Sequence, residues 1–115
     1  MDDLVEREGI YYKKFSDVPF TGEVEGESQG RFKNGKKDGP WTYYYNNGQL
    51  RVKGSFKSGE YEGLWVSFYR DGKVERKGEY KNNKMEGRWV IYDLVTRDLN
   101  TESSGVYKDG KKISD

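Results

Sequence analysis

GPWTYYYNNGQLRVKGSFKSGEYE, residues 39–62, is followed without a gap by GLWVSFYRDGKVERKGEYKNNKME, residues 63–86. Set one above the other, the segments match at Gly39/Gly63, Trp41/Trp65, Tyr44/Phe68, Tyr45/Tyr69, Gly48/Gly72, Gly54/Gly78, Phe56/Tyr80 and Lys57/Lys81. So many matches at one offset define a tandem repeat of 24 residues. Within a unit the punctuation is that of a β-hairpin. Residues 41–45 are mostly aromatic, a composition that favours strands. Asn47-Gly48, and Asp71-Gly72 in the second unit, tolerate the positive φ that a tight turn needs. Residues 49–56 form the return strand, and Lys57-Ser58-Gly59 turns the chain into the next unit.

Outward from these units the pattern loosens. A third copy opens with Gly87, Trp89 and Tyr92, then carries three extra residues in DLVTRDLNTESSG before Gly105, Tyr107 and Lys108. It lacks the Asn-Gly or Asp-Gly turn, so a longer, more mobile loop is expected there. Upstream, GRFKNGKKDG (30–39) is a half-copy, and the first 29 residues match poorly. Terminal repeats diverge because they cover an exposed end. The expected organisation is one repeat domain over residues 1–115. It comprises a divergent N-terminal cap (1–29), a half repeat (30–38), two full units (39–62 and 63–86) and a stretched C-terminal unit (87–115).

Composition supports an all-β chain. Only 32% of residues are hydrophobic and 36% are charged, yet the chain holds ten Tyr, five Phe and three Trp, with no Ala and five Leu. Helices favour Ala and unbranched aliphatics; sheets favour aromatic and β-branched residues. Abundant aromatics and a net charge of +1 separate the chain from disordered sequences of similar polarity. The expected fold is an elongated, twisted antiparallel meander of tandem hairpins with essentially no helix. Two features stay open. Gly54 and Gly78 fall inside strands, where glycine weakens the ladder unless a bulge or close backbone approach requires it. Trp41 and Tyr44, Trp65 and Phe68, Trp89 and Tyr92 are odd numbers of residues apart. Either a bulge brings each pair together or both faces carry aromatics.

The recurring G-x-W-x-x-[YF]…G…G-x-[YF]-K-x-G spacing falls on Gly39, Trp41, Tyr44, Gly48, Gly54, Phe56, Lys57 and Gly59. It returns from Gly63, with Asn83 at the last Gly position, and loosely from Gly87. On these residues the chain resembles the MORN repeat (membrane occupation and recognition nexus), most closely its bacterial variant, over roughly residues 30–112. The resemblance implies an elongated single sheet of successive hairpins. It also implies roles in scaffolding, self-association or contact with membranes and lipids, with some bacterial relatives labelled antitoxin- or immunity-like. The segment LVEREGIYYKKFSDVPFTGEV looks like the start of exported relatives directly after their signal peptide. Met1-Asp2-Asp3 fits a native start and equally a Met placed on a mature chain, so the compartment stays open.

Chemistry is sparse. Gly26-Glu27-Ser28-Gln29-Gly30 fits the nucleophile-elbow pattern, but that elbow needs a strand-to-helix turn and a His base, and the chain has no His. Without His or Cys the common zinc sites and the usual general base are missing. Neither a metal nor a cofactor is expected. Glu60, Glu62, Glu86 and Asp71 recur near turns; a facing pair across a cleft is what a carbohydrate-active enzyme needs. Next to lysines, such carboxylates more simply keep the turns soluble.

Two surfaces remain. One is the aromatic ladder, with Trp41, Tyr44, Trp65, Phe68, Trp89 and Tyr92 as candidate interaction residues where a one-layer sheet leaves rings uncovered. The other is a row of lysines at alternate turns, with Lys33, Lys36, Lys57, Lys81, Lys84 and Lys111 as candidate contacts for anions or lipid headgroups. The four turn segments carry net charges of +2, −1, +1 and +2, so the attraction is modest. The near-neutral chain argues against nucleic acid. The expected function is a non-enzymatic module that binds a protein partner or a second copy of itself. Lipid contact, an immunity-like role and a carbohydrate-active enzyme are the alternatives.

Overall fold

The computed structural model describes residues 4–115. Two strands, β1 (Leu4–Arg7) and β2 (Ile10–Lys13), form a hairpin of their own. Then follow β3 (Gly22–Val24), β4 (Ser28–Lys33), β5 (Lys36–Lys37), β6 (Gly39–Tyr44), β7 (Leu50–Lys57), β8 (Glu60–Tyr61), β9 (Gly63–Phe68), β10 (Val74–Lys81), β11 (Lys84–Ile91), β12 (Gly105–Lys108) and β13 (Lys111–Ser114). They make one antiparallel sheet in the order β3-β4-β6-β7-β9-β10-β11-β12-β13, with β5 on β4 and β8 on β7. No helix occurs among the described residues. The body measures 48 × 33 × 18 Å, and its radius of gyration of 16.0 Å exceeds the ~13 Å of a compact chain near this size. The meander is elongated, as expected.

The two kinds of turn differ. The turns between units are two-residue loops with both residues at positive φ: Asn34-Gly35, Ser58-Gly59, Asn82-Asn83 and Asp109-Gly110. That is the type I′ signature, whose twist matches the flanking strands. The turns within units are three-residue loops. Tyr45 N–H donates to the Gln49 carbonyl at 2.8 Å and Gly48 N–H to the Tyr45 carbonyl at 3.0 Å. Only Gly48 and Gly72 take positive φ there. Asn47 and Asp71 instead accept from the amides of Gln49 and Lys73. The two-residue turn that Asn47-Gly48 suggests is therefore one residue longer, because the Asn side chain caps the turn rather than its backbone turning left-handed.

Both open sequence features are resolved by the strand pairing. Where one unit meets the next, residues 38–41, 62–65 and 86–89 lie opposite only 30–31, 54–55 and 78–79. The longer side bends at Gly39, Gly63 and Gly87, at φ of 86°, 77° and 78°. The bend lays Trp41 on Gly30, Trp65 on Gly54 and Trp89 on Gly78, so closely that a Cβ on any of the three would fall inside the indole. Each indole N–H donates at 3.0 Å to the carbonyl ten residues earlier, on Arg31, Ser55 and Glu79. The in-strand glycines are thus seats for tryptophan. The remaining irregularity inside each unit is an extra residue on the return strand, Arg51 or Glu75. It leaves the alternation along β6 and β9 intact, so Tyr44 and Phe68 face away from the tryptophans.

The core is one aromatic row on the tryptophan face. Phe32, Trp41, Phe56, Trp65, Tyr80 and Trp89 meet edge-to-face, with centroids 5.0–6.2 Å apart. Edge-to-face is the arrangement that the ring quadrupoles favour. Tyr11 and Phe20 lie on Phe32 at the N-terminal end. The stretched third unit is tied down. Ser104 Oγ both accepts from Ile91 N–H and donates to its carbonyl, Asn100 N–H reaches Ile91 O, and Tyr107 donates to Ser103 O. The longer loop expected there is present, and these hydrogen bonds close its base.

Candidate functional site

Burial divides the candidate residues. Trp41, Trp65 and Trp89 are only 1%, 9% and 1% exposed. Seated on glycine and hydrogen-bonded, they are core residues, although Trp65 and Trp89 also line a surface pocket. Tyr44, Phe68 and Tyr92 are half-buried and take no part in the core cluster. Two of their carbonyls serve as latches between units. Tyr45 donates its hydroxyl to Phe68 O at 2.6 Å, and Tyr69 to Tyr92 O at 2.8 Å. The guanidinium groups of Arg70 and Arg97 cover the rings of Tyr45 and Tyr69. Burial, with Glu75 nearby, pushes the Tyr69 phenol up from its usual pKa.

Two rings partly open to solvent sit on the tryptophan face: Tyr43, two residues after Trp41, and Tyr61, across a type I′ turn from Phe56. Tyr43 stacks on Trp41 at 6.0 Å. Tyr61, 40% exposed, touches Phe56, Trp65 and Tyr80 at 4.7–5.2 Å. Beside them runs a groove of about 470 Å³ lined by Tyr11, Lys37, Tyr43, Arg51, Val52 and Tyr61. Lys37 lies 4.9–5.2 Å from the ring centres of Trp41, Tyr43 and Phe56, and donates to the Tyr43 hydroxyl at 2.9 Å. Burial, then the neighbouring Tyr61, pushes Tyr43 up to about 12. Tyr80 is also raised, chiefly by burial. The groove continues into a smaller pocket of about 200 Å³ over Trp65, which shares Val52, Tyr61 and Trp65 with it.

Tyr43, Tyr61, Lys37, Arg51, Ser67 and Arg76 were not singled out from the sequence as site residues. The available signal was the period of two: residues two positions after each tryptophan share its face. The recurring Tyr44/Phe68/Tyr92 column draws attention away from that quieter set.

The turn row forms as a stack. Gly59 N–H donates to Lys37 O, Asn83 N–H to Tyr61 O and Gly110 N–H to Met85 O, at 2.9–3.1 Å. Acidic side chains join the steps: Asp38 accepts from Ser58 N–H, Glu62 from Asn82 N–H and Glu86 from Asp109 N–H. Lys33, Lys36, Lys57, Lys81, Lys84 and Lys111 are exposed along it. Among the described residues none of these six forms an ion pair. Three of the recurring carboxylates, Glu62, Glu86 and Asp71, thus accept turn amides, and Asp71 also pairs with Arg97 at 3.6 Å. Ser28 of the elbow-like pattern lies in β4, with Gly30 beneath Trp41.

The MORN repeat variant family matches the chain twice, at residues 37–58 and 61–82. These spans cover the regular centre, each offset by two residues from the units defined above. A comparison with curated proteins gave no match. Members of the family are repeat-based binding or scaffold modules, and that coarse description is the one the match carries.

Proposed function

We propose, from the premise that this chain is a MORN-repeat protein, that it is a non-enzymatic module whose tryptophan face binds a segment of a partner protein. The observation that carries this reading is the groove of about 470 Å³ running past Tyr43 and Tyr61. Its aromatic walls offer apolar area, and Lys36, Lys37 and Arg51 outnumber the single acid, Glu6. Aromatic and Arg-rich patches of this kind are where binding energy concentrates. The partner is expected to be extended and acidic. Selection of peptides from a random displayed library tests it. Enriched peptides should be acidic and should shift the amide signals of Tyr43, Val52 and Tyr61. Enrichment of peptides that shift only residues near Tyr44, Phe68 and Tyr92, or no enrichment, contradicts it. Self-association through the same face would appear as concentration-dependent shifts at those same amides.

A second reading, contact with an anionic membrane surface, is favoured by the stacked turns that hold Lys33, Lys36, Lys57, Lys81, Lys84 and Lys111 in one exposed row. Each such lysine near an anionic surface contributes about 1 kcal/mol. Co-sedimentation with phosphatidylserine vesicles should then exceed that with phosphatidylcholine and weaken with salt. Equal binding to both vesicle types removes this reading.

A further inference from the structure

The units share the strand that carries the tryptophan and its seat, and differ in what fills the space beside the tryptophan. Two residues after Trp41 stands Tyr43, whose ring stacks on the indole. Two residues after Trp89 stands Ile91. Between them, two residues after Trp65, stands Ser67. Cross-strand pairing places Ser67 opposite Val52 on one side and Arg76 on the other. A large side chain is therefore missing in the middle of the row, and the pocket of about 200 Å³ lies there, walled by Trp65, Trp89, Tyr61, Tyr80 and Val52. The Ser67 hydroxyl is buried at its floor without a hydrogen-bond partner. A buried hydroxyl left unpaired is costly, and a ligand with a polar atom recovers that cost. Arg76 stands at the rim, and no acidic side chain lines the pocket.

The occupant can be read from the first unit. There the equivalent space holds a tyrosine ring stacked on the indole at 6.0 Å, its hydroxyl bonded to a cation. An apolar cavity of roughly 150 Å³ accepts one benzene ring, so the space beside Trp65 suits a single phenol. We propose that Ser67, Trp65 and Arg76 form an anchor pocket for one tyrosine side chain of a partner chain. The ring lies on Trp65, the phenol hydroxyl bonds Ser67 Oγ, and an acidic residue next to the tyrosine pairs with Arg76. The inference rests on the tryptophan face being the docking face and adds the residue that the partner inserts.

The test is a titration of the full chain with Ac-Glu-Tyr-Glu-NH2 and with Ac-Glu-Ala-Glu-NH2, read by the indole N–H signals of the three tryptophans. The tyrosine peptide should bind at least tenfold tighter and move Trp65 and Trp89 but not Trp41. Ser67→Tyr, which copies the first unit, and Ser67→Ile, which copies the third, should each weaken the tyrosine peptide at least tenfold. Equal binding of the two peptides, or unchanged binding in either folded variant, overturns the proposal. Library peptides that hold the groove yet show no preference for tyrosine and no response to Ser67→Tyr would reject the pocket and leave the docking reading standing.

Discussion

The first and second units share their tryptophan seats, their turns and their latches, and differ where Tyr43 is replaced by Ser67 and, just ahead of each unit, Lys37 by Tyr61. The shared residues build the sheet. The differing ones shape its surface, closing it over Trp41 and opening it over Trp65. In a repeat protein, recurrence therefore marks what the fold needs, and a break in recurrence marks where a unit has become a site.

The shared part breaks most severely at the seats. Gly54→Ala and Gly78→Ala each put a methyl into an indole, and each should cost about 3 kcal/mol by urea denaturation, as severe overpacking does. The two losses should be alike, since the two seats are alike. A change near zero at either site would mean that the indole does not lie on that glycine.

The differing part is sharpened by exchange. Tyr43→Ser should cost about 2 kcal/mol, because it strips a stacked ring from Trp41. Ser67→Tyr should gain about 1 kcal/mol, by filling the pocket and removing the unpaired hydroxyl. Denaturant midpoints that move in the same direction for both variants would show the two units to be equivalent after all.

Smaller effects test the stacked turns. Glu62→Ala loses the hydrogen bond from the Asn82 amide and should cost about 1 kcal/mol. Glu60→Ala, at an exposed neighbour, should leave the midpoint unchanged. If the two variants behave alike, the acidic residues serve only solubility.

The smallest signal is in alkali. A phenol raised to about 12 in the folded chain, against about 10 unfolded, favours the folded state while neutral. That contribution is whole below pH about 10 and disappears as pH rises toward about 12. Ultraviolet titration of wild type minus Tyr43→Phe should show one tyrosinate forming late. A difference curve centred near 10 would contradict the packing of Tyr43 on Trp41.

Much of the fold was legible in the sequence because the 24-residue period sits on residues whose job is local. Trp41, Trp65 and Trp89 recur with Gly54 and Gly78, and the turn pairs recur with them. The seating was not legible, since Trp65 lies on Gly54 through a bend at Gly63, at the start of its own strand, that no period of two encodes. The same bend buries the tryptophans, so the aromatic ladder serves as the core. The candidate groove was hidden for a different reason. Its residues, Tyr43, Tyr61, Ser67 and Arg76, do not match between units, and a search for matches passes over them.

The most direct test of the account is to exchange the two positions in one chain. In Tyr43→Ser/Ser67→Tyr the pocket over Trp65 should close and one over Trp41 should open. Titrated with Ac-Glu-Tyr-Glu-NH2, wild type should respond at the indole N–H of Trp65 and Trp89. The double variant should instead respond at Trp41. A response that stays at Trp65 in the exchanged chain would contradict the claim that the break between Tyr43 and Ser67 makes the site.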